Sequence, residues 1–370
     1  MSGPNIRARH AGRIIARGPS FAPNRSAAWS SVAACGAVLI GCVSYDYQLG
    51  STPLEDASSP AAREDRDSRT PRDRESDERD VRGDLVGWAS LPGCGPNGTT
   101  GGSSGPTVRV QTAAELDEAI RASDPSTIVV SGTIDLAGTR LNIPSDKTLL
   151  GVNAAEILGS VRIDKAHNVI LKNIKFNGAS ASGDAVEVTK STCVWLDHCE
   201  FVDGADGNLD IVRGSDFITV SWSRLYYQER TDSHRLGSLC KYDADSPGTL
   251  NVTFHHNWWG AGLLEMMPRS TGGQLHIFNN YYSASGNVYC IGAGYMSKLL
   301  VQNNYFDGVN DPIIFRSDGE TAEILQTGND YTNAVGERVS RGKAFDPPYS
   351  YTLEPAQAAR DNVKASSGVQ

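Results

Sequence analysis

The chain has 370 residues, of which 39% are hydrophobic, 21% charged and 38 are glycine, and its formal net charge is −9. That length allows two or three domains with a large core, and the glycine content favours a turn-rich fold over long helices. The acidic balance speaks against binding the nucleic-acid backbone, which calls for a basic stripe, and no apolar run reaches the ~18–20 residues of a spanning helix.

Arg7, Arg9, Arg13, Arg17 and Arg25 form a basic front with no acid among them, and Ala27 to Ile40 is mostly apolar. That stretch has about the ~7–15-residue length of a signal h-region. It ends in Leu39-Ile40-Gly41-Cys42, which resembles a bacterial lipobox. The resemblance implies removal of residues 1–41, lipidation of Cys42 and attachment to a membrane without spanning it. Val43, rather than a retention aspartate, then implies the outer membrane. An ordinary signal peptide with a chance cysteine is the competing reading. Removing residues 1–41 leaves a net charge of about −14. Residues 42–84 carry many charges of both signs and almost nothing apolar. Such a segment cannot bury enough surface to offset its ordering entropy and is expected to be a disordered tether. Pro53, Pro60 and Pro71 argue against an exposed helix there. A folded domain is expected over residues 85–345, followed by a tail over 346–370.

Within that domain a pattern recurs: apolar, any, apolar, two of any kind, Asn or a small residue, any, aromatic or Leu. It fits segments ending at Phe176, Phe201, Leu225, Trp259, Tyr282, Phe306 and Tyr331, at spacings of 25, 24, 34, 23, 24 and 25 residues. The long spacing holds an insertion around residues 226–250. A fixed period in this range means stacked supersecondary units. Short alternating strands and turn residues make each unit β rather than helical. The expected fold is all-β, a right-handed parallel β-helix of about 24 residues per coil from about residue 106 to 335, with aromatics stacked inside. Asn257, Asn280, Asn304 and Asn329 recur once per unit and could form a side-chain amide ladder. STIVVSGTIDL and KTLLGVNAAEILG supply leading coils. Residues 113–122 make the one strong helix pattern and suit a cap over the open N-terminal end. A β-propeller is the alternative, but its blades need ~40–50 residues.

After Cys42 five cysteines remain, Cys94, Cys193, Cys199, Cys240 and Cys290. An odd number cannot all pair within one chain. Cys199 falls at the small-residue position of the repeat and is expected to be a core thiol. Asp206 and Asp210 share a strand face. With an offset of 24 they stack over positions 182 and 186, with Asp184 between. Geometry alone leaves two readings open: three carboxylates around a calcium ion, or three solvated aspartates near turns.

VWLDHCEF, ADGNLDIVRGSDFITVSW, VTFHHNWW, MPR and HIFNNYY, in this order over roughly residues 106–335, closely resemble the pectate lyase family, polysaccharide lyase family 1. The resemblance implies a parallel β-helix, a monomer, that cleaves polygalacturonate by calcium-assisted β-elimination. It implies calcium ligands at Asp184, Asp206 and Asp210. It places the family's substrate-binding lysine position at Arg230, a cation that keeps the role, or at Asp232 if the gap shifts, which would lose it. One departure is evident. Met266 stands where the family has its proton-abstracting arginine, and Thr271 where it has a second one. Methionine cannot accept a proton, and losing a base costs ~10²–10⁴-fold. Arg269 survives from the motif and is the remaining candidate for catalysis, although strand parity turns it away from Met266 unless Pro268 bends the chain. A non-catalytic polyuronate-binding β-helix is the alternative function. A β-helical glycoside hydrolase would need paired carboxylates on the scissile bond and lacks the flanking elements of pectin hydrolases.

Overall fold

The computed structural model of the chain describes residues 85–243 and 249–370. Cys42 and the segments expected to be signal and tether lie outside the described residues. The described chain winds as a parallel β-helix in which each coil contributes one strand to each of three parallel sheets. One coil runs His167–Lys172, Lys175–Asn177 and Val186–Thr189, and the next runs Thr192–Asp197, Glu200–Val202 and Leu209–Val212. They pair in parallel sheet by sheet, as the right-handed crossover rule for parallel strands requires. The leading coils are the two long strands Ser126–Ile143 and Lys147–Asp164, where both early apolar segments were expected. The final strand is Asp330–Thr332.

The repeat aromatics meet as the pattern predicts. Phe176, Phe201, Leu225, Trp259, Tyr282, Phe306 and Tyr331 are direct cross-strand partners in the second sheet. Their rings stack from Phe176 to Phe201 at 5.9 Å, and from Trp259 through Tyr282 and Phe306 to Tyr331 at 5.9, 4.4 and 5.1 Å. Six of these side chains are fully buried and Tyr331 is half-buried, and this one column supplies much of the hydrophobic drive. At the preceding corner the asparagine ladder is real. Asn257 donates to Asn280, Asn280 to Asn304 and Asn304 to Asn329, each at 3.0 Å. Ser223 and Cys199 occupy the same corner in earlier coils. Cys199, Cys240 and Cys290 are free and buried.

The predicted capping helix is present as α1, Ala113–Arg121, opened by a Thr112–Glu115 capping box. Buried Lys147 donates to the carbonyls of Ala122 and Asp124, which fixes the far end of α1 to the second leading strand. A second helix, α2 at Ala356–Ser366, corrects the expectation of a single helix. Its buried Ala356 and Val363 pack on Tyr281 and Tyr305 of the second sheet. At the other end, Trp88 N–H and Ala89 N–H donate to the hydroxyls of Thr253 and Thr219 on the outer face of the first sheet. A disulfide joins Cys94 to Cys193 in the same region.

Candidate functional site

The third sheet carries the candidate site, and strand alternation dictates it. In VEVT and LDIV, Val186, Val188, Leu209 and Ile211 point into the core, which leaves Glu187 and Asp210 outward. Cross-strand register extends this outward row from Glu187 through Asp210, Leu239 and Arg269 to Gly292. Ser270 and Cys240 face the core one position on. A cleft of about 700 Å³ opens over the first part of the row, from Glu187 to Leu239, lined by Asp184, Glu187, Asp206 and Asp210 among exposed Arg140, Lys190, Arg213 and Lys241. The insertion expected around 226–250 is split between the two flanks of strand Leu239–Lys241. One half supplies Arg230, Asp232 and His234, and the other begins with Tyr242 and Asp243.

Asp184 and Asp210 converge at Gly207. The offset between these coils is 23, since Glu187 pairs with Asp210, not the 24 expected from the repeat. Asp184 therefore sits against Gly207. A Cβ built on Gly207 would lie 2.9 Å from Asp184 Oδ1 and 3.6 Å from Asp210 Oδ1, so glycine there makes room for the two carboxylates. Asp184 is 9% exposed and its Oδ1 is buried without a hydrogen-bond partner. Asp210 Oδ1 accepts the Leu239 N–H at 3.1 Å. Burial, then mutual repulsion within the acidic group, pushes the Asp184 carboxyl up to about 8. Burial likewise raises Asp210, to about 7. Asp206 lines the same cleft from its exposed edge, where its Oδ1 lies 2.9 Å from His234 Nε2. Among the described residues no three His, Cys, Asp or Glu side chains close on one point as a finished metal cage. Glu187, absent from the expected set, adds to the acidic cluster and is met by Arg162 at 3.2 Å and Arg140 at 3.9 Å. The V-E-V alternation was the signal for it.

The other expected residues divide. Arg230 and Asp232, the two residues that could fall at the family's substrate-binding lysine position, are paired with each other at 2.6 Å. Their loop is pinned by Asp203, whose carboxylate accepts the N–H groups of Gln228 and Glu229. Met266 is half-buried with φ 62°, and its carbonyl accepts the Ser238 N–H. Arg269 does not follow simple parity. Leu236 bridges Glu265, 29 residues on, whereas Leu239 pairs with Arg269, 30 residues on. One extra residue therefore sits between them, a bulge that re-aims the strand. Met267 is buried in the core, and Arg269 is delivered outward onto the row of Asp210. The exception allowed for Pro268 is what the structure contains. Thr271 pairs with Lys241, which brings a cation one coil below the position that lacks its arginine.

A family model described as pectate lyase matches residues 81–370. The chain is 39% identical over 225 residues to a pectate trisaccharide-lyase of Thermotoga maritima, covering 56% of this chain but only 60% of that protein's length. It is 31% identical over 308 residues to a pectate trisaccharide-lyase of Bacillus licheniformis, covering 77% and 86% of the two chains. A pectate lyase from Bacillus sp. N165, solved with trigalacturonate, has a TM-score of 0.68 at 28% identity, over 77% of this chain and 99% of its own. With the family model matched along the full described region and the solved relative covered almost end to end, this chain belongs to the pectate lyase family.

Proposed function

We propose that the protein is a polysaccharide lyase that cleaves polygalacturonate by calcium-assisted β-elimination. The observation that carries this reading is the convergence of Asp184 and Asp210 at Gly207, with a buried Asp184 oxygen that has no protein partner. The donor set is all oxygen, which suits calcium. Asp184 and Asp210 would hold the ion, and Asp206 would join by turning from His234. Bound there, calcium would draw the uronate carboxylate and stabilise the negative charge that develops beside it.

The chain's own residues supply the rest. The exposed cations around the cleft attract a polyanion despite the net acidic charge. In the elimination the C5–H bond breaks, its electron pair forms the C4–C5 double bond, and the C4–O bond breaks with the leaving oxygen taking a proton. Met266 can accept no proton. Arg269, on the aspartate row, would receive the C5 proton.

The test is the ultraviolet absorbance of unsaturated product from polygalacturonate, with calcium and with chelator. Calcium-dependent product is expected. Binding with no unsaturated product at any calcium concentration would replace the lyase by a polyuronate-binding protein. We further propose anchoring through Cys42, supported by the Leu39–Cys42 sequence. Cys42→Ser should shift the protein out of the membrane fraction.

A further inference from the structure

We propose that Arg316 and Tyr289 form a second carboxylate subsite on the outward face of the third sheet, one coil beyond Arg269, which binds a uronate carboxylate of the polymer. It rests on the lyase reading for the identity of the polymer, but not on catalysis.

The row that carries Asp210 and Arg269 reaches Gly292 on the next coil. A Cβ on Gly292 would lie 2.7 Å from the Tyr289 ring and 3.1 Å from Arg316 Cδ. Both side chains thus lie across this glycine, next to Arg269. The Arg316 guanidinium stacks 4.6 Å from the Tyr289 ring centroid, which holds it flat. Arg316 N–H donates to Ala293 O, which sets Arg316 opposite Gly294, on the row of Thr271 and Lys241. A cation therefore returns to the row from which Thr271 removed one.

This cluster is short of acceptors. Among the described residues Arg162, Arg224 and Arg230 each face a carboxylate within 4 Å, at 3.2, 3.6 and 2.6 Å, whereas neither Arg269 nor Arg316 forms an ion pair. The Nε atoms of Arg269 and Arg316 are buried without partners, whereas the hydroxyl of Tyr289, a residue 1% exposed, has Glu265 as an acceptor at the edge of hydrogen-bond reach. The nearby carboxylates are Glu265, beside the Tyr289 hydroxyl, and Asp318, over Gly294. Half-buried donors without acceptors are costly in an empty protein. A planar carboxylate supplies two acceptors in the geometry a guanidinium fork matches. Gly292 lies three strand spacings from Asp210, about 14 Å, so the second carboxylate belongs to a different sugar unit from the one at the aspartates. The subsite would favour de-esterified stretches of chain.

The test is calorimetric binding of trigalacturonate in chelator, where calcium-dependent turnover is absent, with fully methyl-esterified trigalacturonate as the neutral control. Arg316→Gln should weaken binding of the acid form about tenfold and leave the ester within about twofold. Tyr289→Phe, which removes only the hydroxyl, should weaken the acid form about twofold to threefold, and it keeps the test open should Arg316→Gln fail to fold. Equal affinities in the folded variants and the unmodified protein would overturn the subsite, as would equal losses for acid and ester. A protein that binds through Arg316 yet yields no unsaturated product would sink the lyase reading and leave the subsite standing.

Discussion

Asp210 and Arg269 stand on one outward row of the third sheet, two strands apart, with Leu239 between them donating its N–H to Asp210 at 3.1 Å. Two strand spacings are about 10 Å, short enough for one bound sugar unit and its neighbour to bridge a cation at the aspartates and the guanidinium. Arg269→Ala should lower kcat ~10²–10⁴-fold with little change in KM. Met266→Arg should raise turnover. Met266 already has φ 62°, so exchanging one side chain with a Cβ for another adds no backbone strain. Steady-state rates of unsaturated product check both. Unchanged rates in Arg269→Ala would move the base elsewhere, Arg230 first.

The aspartate pair should make thermal stability respond to calcium. Two buried carboxylates that repel each other destabilise the metal-free fold, and an ion bound only by the folded state stabilises it. Calcium should raise the melting temperature of the unmodified protein. Asp184→Asn should melt higher than the unmodified protein in chelator and lose most of the calcium response, with shifts of about 2–4 °C per kcal/mol. Differential scanning calorimetry with and without chelator measures this. An Asp184→Asn protein with the full calcium response would remove that residue from the site.

Acid should loosen the first corner. His255 and His256 touch through their Nδ1 atoms at 2.9 Å, and His256 Nε2 lies 3.4 Å from Glu354. His276 bonds to Tyr349 at 2.9 Å and to Gln302 at 3.0 Å. Burial holds His276 neutral, its pKa lowered from 6.5 to about 4. The unfolded chain therefore takes up the proton first as pH falls. The contribution is complete above about pH 6.5 and is lost progressively down to about pH 4, at most ~3 kcal/mol. Denaturant melts across that window should show a shallower pH slope for His276→Gln than for the unmodified protein. Identical slopes would contradict it.

The asparagine ladder should dominate the stability of the later coils. Asn280 accepts from the Asn257 backbone and amide and donates to Phe254 O, Phe278 O and Asn304. Asn280→Ala orphans several buried groups at about 1–3 kcal/mol each, so a loss of roughly 3 kcal/mol or more is expected. Chemical denaturation reads it. A loss under about 1 kcal/mol would show that the stacked aromatics alone set the register.

The coil was legible because its signals are local and repeated. Phe176, Phe201 and Trp259 announce one inward position, and Asn257 and Asn280 announce one corner. Asp184 and Asp210 were legible as a pair, but not their exact stacking, because a one-residue shorter turn changes the offset from 24 to 23 without any mark in the composition. Arg269 was misaimed by parity for a related reason. A bulge is defined by what lies across the strand, and the partner coil at Leu236–Leu239 belongs to the irregular insertion. The helix at Ala356–Ser366 escaped notice because its apolar stripe is mostly alanine and draws its stability from Tyr281 and Tyr305 beneath it.

Cys94 and Cys193 are 99 residues apart, and that separation changes where a pull on the N-terminal side of the domain would be felt. Without the crosslink, tension arriving at Leu85 would peel the Trp88–Ala89 contacts from Thr253 and Thr219 and then load the outermost strand, Thr107–Val110, the coil's weakest edge. With it, force passes into strand Thr192–Asp197, in the interior of the stack and bonded on both sides. Strands pulled in shear along their length yield together rather than one by one. Tension reaching Leu85 is thereby carried into the interior of the stack rather than into its edge strand.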